Sequence, residues 1–168
     1  MSSHSSFSLN NTKIEQTHNL GSFIGSHCHG GETILLSGEL GSGKTTLTQS
    51  IAKSLGVKKQ VTSPTFIIAK EYNANYDKIL LHCDMYRATT IEDLLSIGIL
   101  EQLGDESIVT IIEWPEKVSV LEKAPHIHIN IEQENSERKF IVSHHGTEDN
   151  NQSLYRDLKN EYTTHRHN

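Results

Sequence analysis

Long apolar runs and cysteines are scarce in this chain. No apolar run approaches the roughly 20 residues that a membrane-crossing helix requires, and residues 1–10 lack the apolar core of a secretory signal peptide. The two cysteines, Cys28 and Cys83, provide no disulfide framework. These absences predict a soluble protein of the cytoplasm, without membrane association, in a compartment that keeps thiols reduced.

Positive charge is also in short supply. The chain has 15 Lys and Arg residues against 21 Asp and Glu, a net charge of −6. Tight, unaided binding to nucleic acid requires cations that neutralise phosphates, so we expect any contact with nucleic acid to be indirect unless the fold gathers a local basic patch. A length of 168 residues suits one domain with a single sizeable core.

The chain does contain a glycine-rich stretch between an apolar run and a helical pattern. Residues 38–45, Gly-Glu-Leu-Gly-Ser-Gly-Lys-Thr, fit G-x-x-x-x-G-K-[ST]. The apolar run at residues 33–37 predicts a buried strand, and residues 45–55 predict a helix that Gly56 ends. A strand, a glycine-rich turn and a helix in this order are the context that a phosphate-binding P-loop requires.

The residue types of this P-loop suit a phosphate group. Its three glycines allow backbone angles and a close approach that a Cβ would block. The N–H groups of residues 41–45 can then point at one anion, at the N-terminus of the predicted helix. Lys44 would reach the β- and γ-phosphates, and the Thr45 hydroxyl would ligate Mg²⁺. We therefore predict nucleotide binding by Glu39, Leu40, Gly41, Ser42, Gly43, Lys44, Thr45 and Thr46.

Helical and strand patterns alternate along the rest of the chain. Helices are predicted at residues 14–24 and 91–103, and strands at 66–72, 78–84, 107–113, 126–131 and 138–143. This order predicts an α/β fold, a three-layer P-loop NTPase-like domain whose mostly parallel central sheet ends in a C-terminal antiparallel hairpin. Residues 12–145 would form the domain, after a flexible segment at residues 1–11. Residues 146–168 would form a polar, mobile tail with at most one or two helical turns.

Two acids stand where predicted strands end. Asp84 follows Ile79-Leu80-Leu81-His82-Cys83, and Glu113 follows Ile108-Val109-Thr110-Ile111-Ile112. Ligands bind at the carboxyl ends of parallel strands, and Mg²⁺ would supply a counter-charge to an acid at that position. The alternative is that each carboxylate caps a loop or pairs with Arg87.

Three further residues carry two interpretations each. Thr65, behind Ser63-Pro64, suits either a switch loop that meets Mg²⁺ and the γ-phosphate or an ordinary proline turn. Trp114 lies either on the rim of the nucleotide site or in the core. Arg87 contacts either phosphate or Asp84.

The 11 histidines raise the question of a metal site. Consecutive residues rarely point at one ion, and no CxxC pair completes a tetrahedral set, so we do not predict structural zinc. On the predicted hairpin, His126 and His128 share one face opposite three isoleucines, which is typical of a solvated strand face.

Four segments together resemble the bacterial TsaE (YjeE-type) ATPase family. They are Gly38 to Thr46, Thr62-Ser63-Pro64-Thr65-Phe66, His82-Cys83-Asp84-Met85-Tyr86-Arg87 and Ile112-Glu113-Trp114-Pro115-Glu116-Lys117. The resemblance spans residues 12–143. The chain departs from the family pattern at Glu39, which stands for Asp, and at Cys83 and Met85, which stand for Phe and Leu.

The resemblance implies a weak ATPase that uses ATP and Mg²⁺ and turns over with its partners. The family serves threonylcarbamoyl modification of adenosine 37 in tRNAs that read codons beginning with A, through a complex with TsaB and TsaD and without direct group transfer. It implies that Lys44 binds phosphates, that Thr45 and Glu113 hold Mg²⁺, and that Trp114 lies by the nucleotide. Asp84 would serve the hydrolytic water or the second shell of the metal, and Thr65 would lie in a switch-like loop.

Two other functions are open on the sequence. A small-molecule P-loop kinase usually employs several arginines and a mobile lid, whereas this chain has Arg87, Arg138, Arg156 and Arg166 and no lid-like insertion. A nucleotide-gated binding module would use hydrolysis only as a slow timer. The absence of an Asn-Lys-x-Asp segment disfavours a GTPase. The resemblance suggests residues 13–17 for the adenine.

Overall fold

The structure, a computed structural model, contains both strands and helices and describes residues 5–11, 13–63, 68–87, 90–134, 137–146 and 150–164. The strands are β1 (Ser6–Asn11), β2 (Thr33–Gly38), β3 (Ala69–Asn73), β4 (Ile79–Asp84), β5 (Ile108–Glu113), β6 (His126–Glu134) and β7 (Glu137–His145). The helices are α1 (Ile14–His27), α2 (Lys44–Ser54), α3 (Ile91–Ser96), α4 (Ile99–Gln102) and α5 (Asn150–Thr164). Two 3₁₀ helices, Pro115–Lys117 and Ser119–Lys123, follow β5.

The strands of the described ranges form one sheet in the order β1-β7-β6-β2-β5-β4-β3. The central strands β6, β2, β5 and β4 run parallel, while β1, β7 and β3 are antiparallel to the strands beside them. Parallel strands that are covered on both faces carry nearly continuous apolar sequence, and all six residues of β5 are buried. The predicted α/β fold, with a mostly parallel central sheet and a C-terminal hairpin, is confirmed.

Helices cover both faces of the sheet and give it three layers. Because side chains alternate along a strand, Ile34 and Leu36 pack with α1, α2 and α5, while Leu35 packs on the other face with α4 and the second 3₁₀ helix. The helices α1 and α2 approach each other closely, since a Cβ on Gly21 would overlap the Ser50 Cβ. No helix within the described ranges is long and apolar enough to cross a membrane.

Segments near both chain ends pack on the sheet, which differs from the sequence prediction. All six residues of β1 pair with β7, and α5 buries Leu154, Tyr155 and Leu158. The expectation of a flexible segment at residues 1–11 and a mobile tail at residues 146–168 is therefore wrong for the parts that form β1 and α5. The polar composition of the tail conceals a helical stripe of apolar residues, and that stripe is what the sheet buries.

The predicted helix at residues 91–103 is two short helices in the structure. Gly98 interrupts it with a φ of +64°, a left-handed conformation that glycine adopts readily. The strand predicted at residues 66–72 corresponds to β3, which runs from Ala69 to Asn73. The start of that predicted strand lies outside the described residues.

The histidine face of the hairpin is packed, which corrects the expectation of a solvated face. His126 is only 2% exposed, and its ring stacks on that of His145 with centroids 4.7 Å apart. His128 forms a 2.8 Å hydrogen bond with the Ser37 hydroxyl. The period-two pattern places these side chains on one face correctly, but it does not show that the register of β6 and β7 adds His145 to that face.

Candidate functional site

A cavity of about 460 Å³ opens at the carboxyl ends of β2, β4 and β5. Its lining contains most of the residues that the sequence predicts for the site: Leu40, Gly41, Gly43, Lys44, Thr45, Thr46, Asp84, Glu113 and Trp114. Glu39 and Ser42 belong to the same loop but do not line the cavity, and Thr65 lies outside the described residues. The sheet thus brings together residues that are up to about 70 positions apart in the chain.

The loop between β2 and α2 has a conformation that depends on glycine. Gly38 has a φ of +143°, and a Cβ there would lie 2.6 Å from the carbonyl oxygen of Ile131 and 2.7 Å from the Ser42 hydroxyl. Gly43 has a φ of +108° and directly precedes the first residue of α2. Because L side chains rarely adopt such angles, glycine at these two positions sets the course of the loop.

The side chain of Lys44 crosses the mouth of this loop. It is 4% exposed, and its amine donates to the carbonyl oxygens of Gly38 at 2.6 Å and Glu39 at 2.9 Å. The amine also lies 3.9 Å from the centroid of the Trp114 ring. Burial lowers the pKa of the Lys44 amine, and nearby carboxylates, Glu113 the strongest among them, act in the opposite direction.

Glu113 is a buried acid that receives hydrogen bonds from two elements. Its side chain lies at the end of β5, and the residue is 2% exposed. The Thr45 hydroxyl is 3.2 Å from each of the two carboxylate oxygens. The Oε1 atom is also 2.9 Å from Nε2 of His82 and 3.4 Å from the Thr48 hydroxyl. The first turn of α2 and strand β4 therefore fix this carboxylate beside the P-loop.

Asp84 is the neighbour of Glu113 on the next strand, and the two residues are Cα partners in the β4–β5 pairing. Its Oδ1 accepts from the main-chain N–H of Tyr86 at 2.9 Å, and its Oδ2 accepts from the Ser63 hydroxyl at 2.7 Å. The carboxylate thus caps the turn after β4, as one interpretation of the sequence suggested, and also lines the cavity.

Trp114 lies on the wall of the cavity and is held there by an uncommon backbone conformation. Its φ is +59°, which costs a non-glycine residue about 1–2 kcal/mol. Its main-chain N–H donates to the Leu36 carbonyl at 3.1 Å, and the centroid of its ring lies 4.9 Å from that of the Tyr86 ring. Trp114 thus lines the cavity and also packs against the apolar cluster on that face of the sheet. Its place beside a nucleotide stays a prediction.

The structure adds three polar residues that the sequence did not single out for the site. His82 contacts Glu113, and Ser63 contacts Asp84. Arg138 donates from Nε to the Ser42 carbonyl at 2.8 Å. His82 lies two residues before Asp84, and this spacing places both on the same strand face. Arg138 has no local signal, because its contact joins residues 96 positions apart.

Comparison with known proteins assigns a family to the chain. The family described as "Threonylcarbamoyl adenosine biosynthesis protein TsaE" matches residues 11–140. A "tRNA threonylcarbamoyladenosine biosynthesis protein TsaE" from Nostoc is 37% identical over 120 residues, which cover 70% of this chain and 71% of that protein. The protein of the same name from Mycobacterium tuberculosis is 31% identical over 128 residues, 71% of this chain and 75% of its own length.

Two further similarities cover different shares of the chain. The TsaE of Haemophilus influenzae is 37% identical over 99 residues, and the match spans 59% of this chain and only 61% of that relative. The crystal structure of YdiB from Bacillus subtilis superposes with a TM-score of 0.73 over 96% of this chain and 99% of YdiB, at 23% identity, and so shows the same fold. Because the family match covers residues 11–140, most of the chain, this chain belongs to the TsaE family.

Proposed function

We propose that this protein binds ATP with Mg²⁺ in the cavity at the P-loop and hydrolyses it, weakly on its own, in the biosynthesis of threonylcarbamoyladenosine in tRNA. The observation that carries this proposal is the contact of Thr45 with Glu113 at the mouth of the loop that Lys44 closes. It joins a phosphate-binding turn to a buried acid in a chain of the TsaE family.

The P-loop supplies the phosphate-binding groups in this proposal. The main-chain N–H groups of residues 41–45 lie at the N-terminus of α2, where the helix dipole favours an anion. The N–H of Ser42 donates to the Glu39 carbonyl at 3.1 Å, so a bound phosphate would have to replace this acceptor. The Lys44 amine now donates to the carbonyls of Gly38 and Glu39. Phosphate oxygens are stronger acceptors for an ammonium group, so a bound nucleotide would draw the amine away from these carbonyls.

The residues beside the P-loop suit a magnesium ion. The Thr45 hydroxyl and the Glu113 carboxylate are hard oxygen ligands, the type that Mg²⁺ prefers. A carboxylate that is 2% exposed gains from a cation beside it. When bound, Mg²⁺ would neutralise the phosphates and stabilise the charge that develops during hydrolysis.

Asp84 and Thr65 complete the proposed hydrolytic machinery. Asp84 lines the cavity with its carboxylate held by Ser63 and by the N–H of Tyr86. We propose that Asp84 orients either the attacking water or a water bound to the metal, because its carboxylate oxygens are hydrogen-bond acceptors held in place at the site. Thr65 stays a proposed switch-loop residue.

Protein partners, TsaB and TsaD, are part of the same proposal, with tRNA contacted through them. A net charge of −6 disfavours direct binding to tRNA. Two large apolar side chains are exposed beside the cavity, Leu40 at 79% and Tyr86 at 50%. We propose that these two side chains contribute to the surface that the partners cover.

Reconstituted tRNA modification tests the proposal. We expect TsaB, TsaD, ATP and this protein to sustain many turnovers, and Lys44→Ala to reduce the yield to that obtained without the protein. Glu132→Gln serves as control, because this side chain is half exposed and is not among the residues that line the cavity. Full modification with Lys44→Ala would overturn the proposal, and phosphate transfer to a small metabolite would indicate a kinase instead.

A further inference from the structure

A fully buried histidine stands behind the proposed metal-side acid. His82, on β4, is 0% exposed, and its Nε2 lies 2.9 Å from Oε1 of Glu113. The other ring nitrogen, Nδ1, is buried without a hydrogen-bond partner among the described atoms. An unpaired buried nitrogen is unfavourable, and an apolar side chain would fill the same space without one. The contact with Glu113 is therefore the interaction that favours an imidazole over an apolar side chain at this position.

The distances rank the donors on Oε1 of Glu113. The Thr48 hydroxyl lies 3.4 Å from Oε1 but 3.0 Å from the Lys44 carbonyl. Because a hydroxyl has one proton to donate, the shorter bond within α2 takes it. The Thr45 hydroxyl is shared between both oxygens at 3.2 Å. Of these three donors, His82 is the nearest to the carboxylate, and its contact is with Oε1.

A carboxylate only accepts hydrogen bonds, so the contact requires the proton of His82 on Nε2. This bond occupies one side of Oε1 and restrains rotation of the carboxylate group about its terminal torsion, which is otherwise broad. Outer-shell partners of this kind commonly set the orientation of a metal-ligating group.

We propose that His82 is a positioning residue for Mg²⁺: its Nε2–H would hold Glu113 by Oε1 and leave Oε2, which His82 does not contact, available to the ion. This inference rests on the proposed function, because it assigns His82 a role only if Glu113 meets the metal of a bound nucleotide. His82 does not contact the nucleotide in this arrangement, so its effect passes through Glu113.

Two amide substitutions separate positioning from packing. Glutamine places its amide nitrogen near the position of Nε2, whereas asparagine is one methylene shorter and places its nitrogen near Nδ1. His82→Gln therefore keeps a donor for Glu113, and His82→Asn removes it while leaving a polar side chain in the same site. The pair shares the loss of the ring, so the difference between them reports the hydrogen bond.

The measurement is ADP binding by calorimetry, with Mg²⁺ and with EDTA, and Mn²⁺ binding to the ADP complex by electron paramagnetic resonance. For His82→Asn we expect the metal concentration at half-saturation to rise about 10- to 100-fold, with ADP affinity in EDTA close to that of the wild type. His82→Gln should recover most of the metal affinity. Glu132→Gln is the control.

Equal metal affinity in the wild type and His82→Asn would overturn the role of His82. So would a loss in His82→Asn that is as large in EDTA as with Mg²⁺, since that result indicates packing alone. A wild-type protein that binds neither ADP nor metal would instead defeat the proposed function. Should His82→Asn fail to fold, ¹⁵N chemical shifts of His82 in the wild type with ADP and Mg²⁺ decide: a proton on Nε2 supports the inference, and a proton on Nδ1 alone contradicts it.

Discussion

Three acidic side chains lie near Lys44, the one lysine among the described residues that line the cavity. Lys44 is nearly buried, and it is surrounded by the carboxylates of Glu113, Glu116 and Asp84. A nucleotide would add negative charge beside these acids, so binding without a metal ion works against repulsion. Under the proposed function, we therefore expect Mg²⁺ to strengthen nucleotide binding at this site.

Glu113→Gln tests this balance. The substitution keeps the shape and removes the charge, so we expect Mg²⁺-dependent hydrolysis to fall at least about 100-fold. ADP affinity in EDTA should stay unchanged or become tighter, because repulsion is relieved. Steady-state ATPase assays and calorimetry measure the two quantities, with Glu132→Gln as control. Equal losses in both would mean that Glu113 is structural.

The shifted pKa of His126 makes the stability of the folded protein depend on pH. Burial lowers the pKa of His126 to about 4 from the value of 6.5 in an unfolded chain, and His145, His128 and His144 add to the shift, while a hydrogen bond to the Ala124 carbonyl opposes it. Between these two values the unfolded chain binds more protons than the folded chain. Stability is therefore full above pH 6.5 and is lost as the pH falls toward 4.

His126→Asn should weaken this dependence. The asparagine amide can keep the donor to the Ala124 carbonyl, which Nδ1 supplies at 2.7 Å in the wild type, but it does not titrate. We expect the fall in Tm between about pH 7 and pH 5 to be smaller in His126→Asn than in the wild type. His29→Asn, at an exposed position, should fall as the wild type does. An identical fall in all three proteins would contradict this explanation.

At the residue scale, local motifs predicted the positions that the cavity brings together. Lys44 and Thr45 follow from the P-loop pattern, and Glu113 follows from its place at the end of an apolar strand. Their roles with nucleotide and metal stay predictions. His82 and Arg138 were missed, because their contacts depend on strand order and register, which no local pattern specifies.

At the scale of elements, the strongly apolar strands were predictable and the amphipathic end was not. The patterns of β2, β5 and the β6–β7 hairpin each match the structure within a few residues. The final helix α5 has a polar composition, and only the spacing of Leu154, Tyr155 and Leu158 marks the face that it buries. The polar composition of this segment therefore gave no indication that α5 contributes side chains to the core.

Substitution at Leu158 measures how much α5 contributes. Leu158 is 0% exposed and packs in the main core, so Leu158→Ala should lower the free energy of unfolding by about 2–5 kcal/mol. Asn160→Ala, on the exposed face of the same helix, should change it by less than about 0.5 kcal/mol. Urea denaturation followed by circular dichroism gives both values. A loss in Leu158→Ala as small as that in Asn160→Ala would show that the helix does not stabilise the domain.

At the scale of the whole molecule, strand order decides where the site lies. The P-loop strand β2 lies between β6 and β5, and β5 lies beside β4. The carboxyl ends of β2, β5 and β4 therefore meet at one edge, and the chain folds back to that edge from three separate stretches. The same fold in YdiB and the match to the TsaE family extend over most of the chain.

A crystal structure with a non-hydrolysable ATP analogue and Mg²⁺ is the most direct test of the central claim. We predict phosphate oxygens on the N–H groups of residues 41–45, the Lys44 amine moved from the Gly38 carbonyl to phosphate, and the metal ion at Thr45 and Glu113. An analogue bound elsewhere, with the Lys44 amine still on the Gly38 carbonyl, would contradict the account.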